Sequence, residues 1–231
     1  MIPGWLEPVA RAAKQITPGD LTPFIAPEDA VTRQGAVLML FGQQRDLLLT
    51  ERGHGMRSHP GQVSFPGGSI DPGETPRQAA LREAEEETGL RAEGVEVFAE
   101  LPRLWLPPSN FEVTPVLGWW AEESPVGVVD PAEVHAVYRV PFEDLLDPAH
   151  RVSVRHPSGW TGPGFLIGPA HDLVLWGFTA GIISRLLDFL DWTRPWDARV
   201  VRDLPANMLQ GGPRPASPRI VQPPAPSQEP S

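Results

Sequence analysis

Cysteine is absent from the 231 residues, which excludes disulfides, thiolate nucleophiles and cysteine-ligated zinc. That absence fits a cytosolic chain. Positive charge is the next shortage: 19 Lys and Arg stand against 29 Asp and Glu, a formal net charge of −10. Such a balance argues against nonspecific binding to nucleic acid or to an anionic membrane surface. An anionic ligand would have to be met by a local basic patch or by a metal ion. Long hydrophobic runs are also missing, since the longest, "LVLWGFTAGII" at 173–183, is too short to span a bilayer. The opening "MIPGWLEPVARAAKQ" has neither the unbroken apolar core nor the cleavage pattern of a signal peptide. The expectation is a soluble, cytoplasmic protein with no membrane and no nucleic-acid partner.

What is present reads as one globular unit with extensions. Apolar residues make up 41% and charged residues 21%, ordinary values for a chain long enough to bury a core. Proline is in excess, with 29 residues, about twice average usage. Residues 1–34 read as a short amphipathic helix, at 4–15, and a proline-rich connector; 35–195 form the domain proper; 196–231 form a proline-rich tail. The stretch "GGPRPASPRIVQPPAPSQEPS" has too little to bury to offset its ordering entropy, so disorder is expected there. Within the domain "AVLMLFG" (36–42) and "DLLLTER" (46–52) flank "QQR" as a hairpin would, and "QVSFPGG" (62–68) is a third extended piece. Thr75 as N-cap, Pro76 in the first turn, Gln78 completing a capping box and Gly89 as terminator predict a helix over 76–88. Extended segments at about 95–104, 111–120, 134–141 and 151–155 and a last helix over about 172–192 complete an α/β sandwich.

The helix over 76–88 carries an electrostatic oddity, "REAEEETGL" at 82–90. Glu83, Glu85, Glu86 and Glu87 crowd together with Glu74 just upstream, at a cost to helix stability. Glu83, Glu86 and Glu87 stand at i, i+3 and i+4 and share one face, whereas Glu85 points elsewhere and reads as solvated. Three carboxylates on one face make a hard, oxygen-only site suited to Mg²⁺ or Mn²⁺. Out of context the same run is merely a solvated acidic face. The context is a "PGG" turn that lets backbone approach a phosphate or metal closely, preceded by a basic cluster of Arg52, His54, Arg57 and His59 in an otherwise acidic chain.

From Gly68 the spacing runs Gly, five residues, Glu74, seven residues, then Arg82-Glu83-Ala84-x-Glu86-Glu87-x-Gly89-Leu90. This resembles the Nudix box, the signature of the Nudix hydrolase superfamily, at every fixed position, with Ala84 small where a larger aliphatic is common. The resemblance implies a Nudix-type α/β/α sandwich with a mixed central sheet and hydrolysis of a pyrophosphate bonded to another moiety by metal-activated water. It implies Mg²⁺ or Mn²⁺ held by Glu83, Glu86 and Glu87, with the Gly68 backbone carbonyl as a further ligand. Glu74 and Arg82 would pair to orient the carboxylate face. Catalysis would rest on Glu83, Glu86 and Glu87, with Glu133 in "DPAEVHAVYRVPF" (130–142) the candidate for an additional base and Glu112 and Glu122 its competitors.

Directly upstream, Leu48-Leu49-Thr50-x-Arg52-x₄-Arg57-x₃-Gly61-x₃-Phe65-Pro66-Gly67-Gly68 looks like the accessory signature of the coenzyme A pyrophosphatase branch. The departure is Gly53, where that branch usually has Ser or Ala. The resemblance implies cleavage of coenzyme A or its derivatives to 3′,5′-ADP and 4′-phosphopantetheine, the alternatives being ADP-ribose, NADH or another nucleoside diphosphate derivative, or a Nudix module that binds nucleotide without catalysis. Arg57 and Arg52 are the candidate phosphate contacts, with His59 and Gly67 beside them, although Arg52 also suits a surface ion pair with Glu51 or with a box glutamate. "PSNFEVTPVLGW" (108–119) and "LWGFTAGIISRLL" (175–187) extend the similarity, Trp176 and Phe178 reading as packing residues. The expected partner is a small molecule of the coenzyme A type; the oligomeric state, homodimer included, is left open.

Overall fold

The computed structural model describes residues 1–26, 32–55, 60–107, 110–204 and 219–221. In chain order the elements are α1 (Glu7–Ala13), α2 (Pro18–Leu21), β1 (Arg33–Phe41), β2 (Asp46–Arg52), β3 (Val63–Ser64), β4 (Gly67–Ser69), α3 (Pro76–Thr88), β5 (Val95–Glu100), β6 (Leu104–Leu106) and β7 (Phe111–Trp120). They continue with β8 (Val134–Pro141), α4 (Phe142–Leu146), β9 (Arg151–Arg155), β10 (Thr161–Ile167), β11 (Leu173–Leu175), α5 (Gly177–Phe189), β12 (Val201–Asp203) and β13 (Arg219–Val221).

Alternation along β1 decides the architecture. Ala36, Leu38 and Leu40 pack into one apolar cluster and Met39 and Phe41 into another, as a strand with two buried faces must. The first cluster lies under α3, whose Ala79, Ala80 and Ala84 are fully buried and small enough to bring the helix close to the sheet. The second is filled from the other side by Leu6, Val9 and Ala12 at the N-terminal end and by Ile182, Ile183, Leu186 and Leu187 of α5. The result is the expected α/β/α sandwich around a mixed sheet of order β13-β8-β2-β1-β7-β5, with β3 on β2, β4 on β1 and β6 on β7. A smaller sheet of order β11-β10-β9-β12 packs beside it.

The expected β1–β2 hairpin forms only at its closing end, where Phe41 faces Leu47. β1 runs parallel to β7 from Arg33↔Phe111 to Phe41↔Trp119, and β2 pairs on its far edge with β8 over Asp46–Arg52. The two strands splay, and β4 takes the vacated edge of β1, with Ala36↔Gly68 and Val37↔Gly67. The predicted α3 is present over Pro76–Thr88 with Thr75 and Gln78 capping reciprocally and Gly89 at φ 69°. The last helix is shorter than expected: Leu173–Leu175 pairs with β10 as a strand, and α5 starts at Gly177, φ 72°. A left-handed residue at that point breaks the continuous apolar run in two.

The domain limits also shift. Leu6, Val9, Ala12, Ile16 and Leu21 are all buried in the main core, so residues 1–21 belong to the sandwich. At the other end β12 pairs in parallel with β9 and Leu204 packs on Val152 and Val154, which carries the packed chain past residue 195. Beyond Leu204 the expected tail lies outside the described residues, except that Arg219–Val221 runs parallel along β8. Among the described residues no helix is long and apolar enough to cross a membrane.

The sheet is tied internally by Arg139 on β8. Its Nη1 donates to Glu123 Oε2 at 2.8 Å and its Nη2 to Glu123 Oε1 at 2.6 Å and Asp46 Oδ1 at 3.0 Å, while Nε donates to Asp46 Oδ2. Asp46 is 1% exposed, so removing its partner strands a buried charge. Arg139→Ala is expected to cost about 3–5 kcal/mol, read from urea unfolding.

Candidate functional site

Arg82 organises the acidic helix. Its Nε and Nη2 donate to the two oxygens of Glu74 at 2.8 and 3.0 Å, its Nη1 to Glu83 Oε1 at 3.0 Å and Glu86 Oε2 at 3.1 Å, and its Nη2 also to the Ser69 carbonyl at 3.0 Å. Glu74 and Arg82 thus form a bidentate pair. Arg82 and the Asp71 N–H hold the Glu74 carboxyl down at about 2. Glu85 is exposed, pointing away from this set, and its Oε1 accepts from the Ala92 N–H at 3.0 Å.

The glycines of β4 form the floor of the site. A Cβ on Gly67 would overlap the Ala36 carbonyl oxygen, and one on Gly68 would overlap the Glu83 carboxylate. Glu83 is thus seated directly on Gly68, and burial raises its carboxyl against the opposing pull of Arg82. The Gly68 carbonyl oxygen lies against Gly35, 2.8 Å from where a Cβ there would stand. Glu87 sits one turn further along α3, accepting from Thr50 Oγ1 at 3.2 Å and from the Gly67 N–H. Burial pushes the Glu87 carboxyl up to about 8, partly offset by Thr50 and by the Arg52 charge.

Arg52 stands on the box side of β2. Its Nε is shielded from solvent and has no hydrogen-bond partner among the described residues, so the alternative of a surface ion pair with Glu51 is not what the structure brings together. Glu51, one residue back, accepts from Tyr138 Oη at 2.5 Å and lies 3.1 Å from His54 Nε2. Glu51, His54 and His135 offer ligand atoms that lie within 4.8 Å of one another, a group that could hold a divalent cation. Sequence reasoning missed it by treating Glu51 as a surface residue; period-two alternation would have separated Glu51 from Thr50 and Arg52. Arg57 and His59 lie outside the described residues.

The departure at Gly53 has a physical cause, since a Cβ there would come within 2.5 Å of the Ala132 carbonyl oxygen. The Gly53 N–H donates to the Glu133 carbonyl at 2.7 Å, and Gly127 N–H to the Thr88 carbonyl at 2.8 Å. The segment between thus runs from the C-terminal end of α3 to Arg52 and Gly53, which sets Glu133 at the rim with its side chain exposed. Glu112 lies at the β4 end of β7, where Thr32 Oγ1 donates to it at 2.9 Å. Glu122 follows Trp120 at the far end, away from the glycines.

Glu83 and Glu86 share Arg82 Nη1 while Glu87 is held apart by Thr50 and Gly67, so the three helix carboxylates face one side without meeting at one point. As a donor set they still fit a hard cation: all oxygen, two of them raised by burial, one set on a glycine cradle that any Cβ would fill. A carboxyl raised from 4.5 to about 8 keeps a proton that the unfolded chain loses. Without divalent cation, this group therefore lowers stability as pH rises from about 4.5 to about 8. In chelator, the wild-type Tm is expected to fall relative to that of Glu87→Gln across this window; parallel profiles would refute the assignment. Gly68→Ala is expected to abolish metal-dependent turnover while leaving the circular dichroism of the fold intact.

Comparison with known proteins agrees with this geometry. The NUDIX domain family model matches residues 31–160. Nudix hydrolase 3 of Caenorhabditis elegans is 43% identical over 105 residues, 45% of this chain and 44% of that protein, so the chain spans less than half of its length. The uncharacterized Nudix hydrolase NudL of Enterobacter sp. (strain 638) is 39% identical over 170 residues, 67% of this chain and 81% of NudL. Among solved structures, the Nudix hydrolase RenU of M. Smegmatis is 22% identical with a TM-score of 0.41, covering 68% of this chain and 84% of RenU, a superposition too loose to add to the assignment. With the family model matching more than half of its residues, and the box carboxylates seated on their glycine floor, this chain belongs to the Nudix hydrolase superfamily.

Proposed function

We propose that this protein hydrolyses the pyrophosphate bond of a nucleoside diphosphate derivative with Mg²⁺ or Mn²⁺, and that within this class its substrate is coenzyme A or a coenzyme A derivative. Family membership supports the broader form, which also takes in ADP-ribose and NADH. The run at 48–68 supports the narrower one. One observation carries the reading: Arg52, with its shielded and unpartnered Nε, stands beside a raised Glu87. A guanidinium prepared for an anion and a carboxylate prepared for a cation are what a metal-bound pyrophosphate requires.

The same reading assigns the roles. Glu83, Glu86 and Glu87, with the Gly68 carbonyl, would hold the cation, whose chemistry when bound is to neutralise pyrophosphate oxygens and to make water nucleophilic near neutral pH. Arg82 positions Glu83 and Glu86 through one nitrogen, and Glu74 positions Arg82. Arg52, joined by Arg57 and His59 from the same run, receives phosphate oxygens, and the Gly67 backbone admits them closely. Glu133, on the turn bound to Gly53, is the candidate for an additional base.

The test is a product assay of the purified chain with Mg²⁺ against coenzyme A, ADP-ribose, NADH and a nucleoside triphosphate. Release of 3′,5′-ADP and 4′-phosphopantetheine is expected, with turnover reduced by orders of magnitude in Glu86→Gln. Rapid hydrolysis of ADP-ribose with none of coenzyme A would move the substrate to the broader class, and near-wild-type Glu86→Gln would remove that residue from the metal set.

A further inference from the structure

Away from the carboxylate helix, two imidazoles and a carboxylate meet where the main sheet adjoins the small one. Asp144 is on α4, which follows β8 directly; His150 ends the short 3-10 turn Pro148–His150; His171 sits in the turn between β10 and β11. His171 Nε2 is 3.3 Å from Asp144 Oδ2. The rings of His150 and His171 stack with centroids 3.7 Å apart and planes 18° from parallel. One ligand atom from each residue lies within 4.8 Å of the other two.

A bare hydrogen bond between Asp144 and His171 leaves two facts unexplained. His150 Nδ1 is shielded from solvent with no hydrogen-bond partner among the described residues, a state that costs free energy. His171 has φ 49°, a left-handed backbone unfavourable for a residue with a Cβ and kept where surrounding structure demands it. Both imidazoles are also anchored through their backbones: the His171 N–H donates to the Gly168 carbonyl and the His150 N–H to that of Asp147, each at 3.0 Å. Little backbone ordering is left for a ligand to impose, and side-chain rotation that turns the stacked rings apart is what a shared ion requires. Two imidazole nitrogens and one carboxylate oxygen suit Zn²⁺ and its neighbours Co²⁺ and Ni²⁺ rather than Mg²⁺. His171 and Asp144 are 35% and 29% exposed, which gives an ion access.

We infer that Asp144, His150 and His171 form a transition-metal site that clasps α4, at the end of β8, to the β10–β11 turn of the small sheet. Three protein ligands leave a further position for water, so the ion is exchangeable. The set shares no residue with the carboxylate helix or with Glu51, His54 and His135, which allows its contribution to be subtracted.

The full chain, stripped with chelator and supplied with excess Mg²⁺, is titrated with Zn²⁺ by calorimetry and with Co²⁺ by visible absorption. The double variant His150→Ala/His171→Ala is expected to bind one Zn²⁺ fewer per chain than the wild type. It is also expected to lose the visible Co²⁺ band of a nitrogen-ligated site and the rise in Tm that Zn²⁺ produces. Asp144→Asn, nearly isosteric, is expected to weaken this Zn²⁺ binding roughly tenfold or more and decides the matter if the double variant does not fold. Unchanged Zn²⁺ stoichiometry, affinity and Co²⁺ spectrum in the folded variants would overturn the site, as would a wild type that takes up no Zn²⁺ beside Mg²⁺.

Discussion

Arg82 joins Glu74, Glu83, Glu86 and the Ser69 carbonyl through one guanidinium, and the acidic helix depends on it. Any one ion pair at this exposure contributes only about 0–1 kcal/mol. The larger effect is geometric. Carboxylates one turn apart on a helix repel, and the shared cation converts that repulsion into a network that also ties α3 to β4. Arginine suits the task better than lysine would, because a planar fork can meet Glu74 with two bonds and still reach along the helix with the remaining nitrogen.

The electrostatics of Glu87 depend on a longer-range feature, the parting of β1 from β2 beyond their closing pair. β7 takes one edge of β1 along its length; on the other edge β2 pairs only at Phe41↔Leu47, which leaves the rest of that edge to Gly67–Ser69. Only glycine fits at 67, where a side chain would strike the Ala36 carbonyl. The same Gly67 N–H then donates to Glu87. The topology of the sheet thus sets the local field at a carboxylate far from most of the residues that determine it.

Local signals were the legible ones. Thr75, Pro76, Gln78 and Gly89 state the limits of α3 through backbone chemistry that needs no partner, and the spacing of Glu83, Glu86 and Glu87 places them on one side of it. Strand pairing was less legible, since β1 and β2 look like a hairpin to any reading that weighs adjacency, and nothing within residues 36–52 tells that β4 and β3 take their facing edges while β7 and β8 take the outer ones. Leu173–Leu175 was absorbed into the following helix because a short apolar run has no distinguishing period, and β10, which pairs with it, carries two glycines and a proline that disguise a strand. Of the site, the box could be read directly, whereas Glu51 with His54 and His135, and Asp144 with His150 and His171, come together only through tertiary contacts between segments distant in sequence.

Charge balance connects these parts. A chain with a net charge of −10 repels anions over most of its surface, so a phosphorylated ligand gains only where the local field reverses. The carboxylates of α3 do not all contribute equally to that field. Glu74, Glu83 and Glu86 are matched by Arg82, and Glu85 is engaged by the Ala92 N–H. Glu87, held by two neutral donors, is the least compensated of these, and the charge that offsets its burial is Arg52, itself without a partner at Nε among the described residues. Each of these two groups lowers the other's desolvation cost without satisfying it, because neither bonds the other. In the function proposed above, an ion pair of a divalent metal with a phosphate anion would complement both at once, the metal at Glu87 and the phosphate at Arg52, and the crowding of carboxylates that would destabilise an isolated helix would become the means of selecting it.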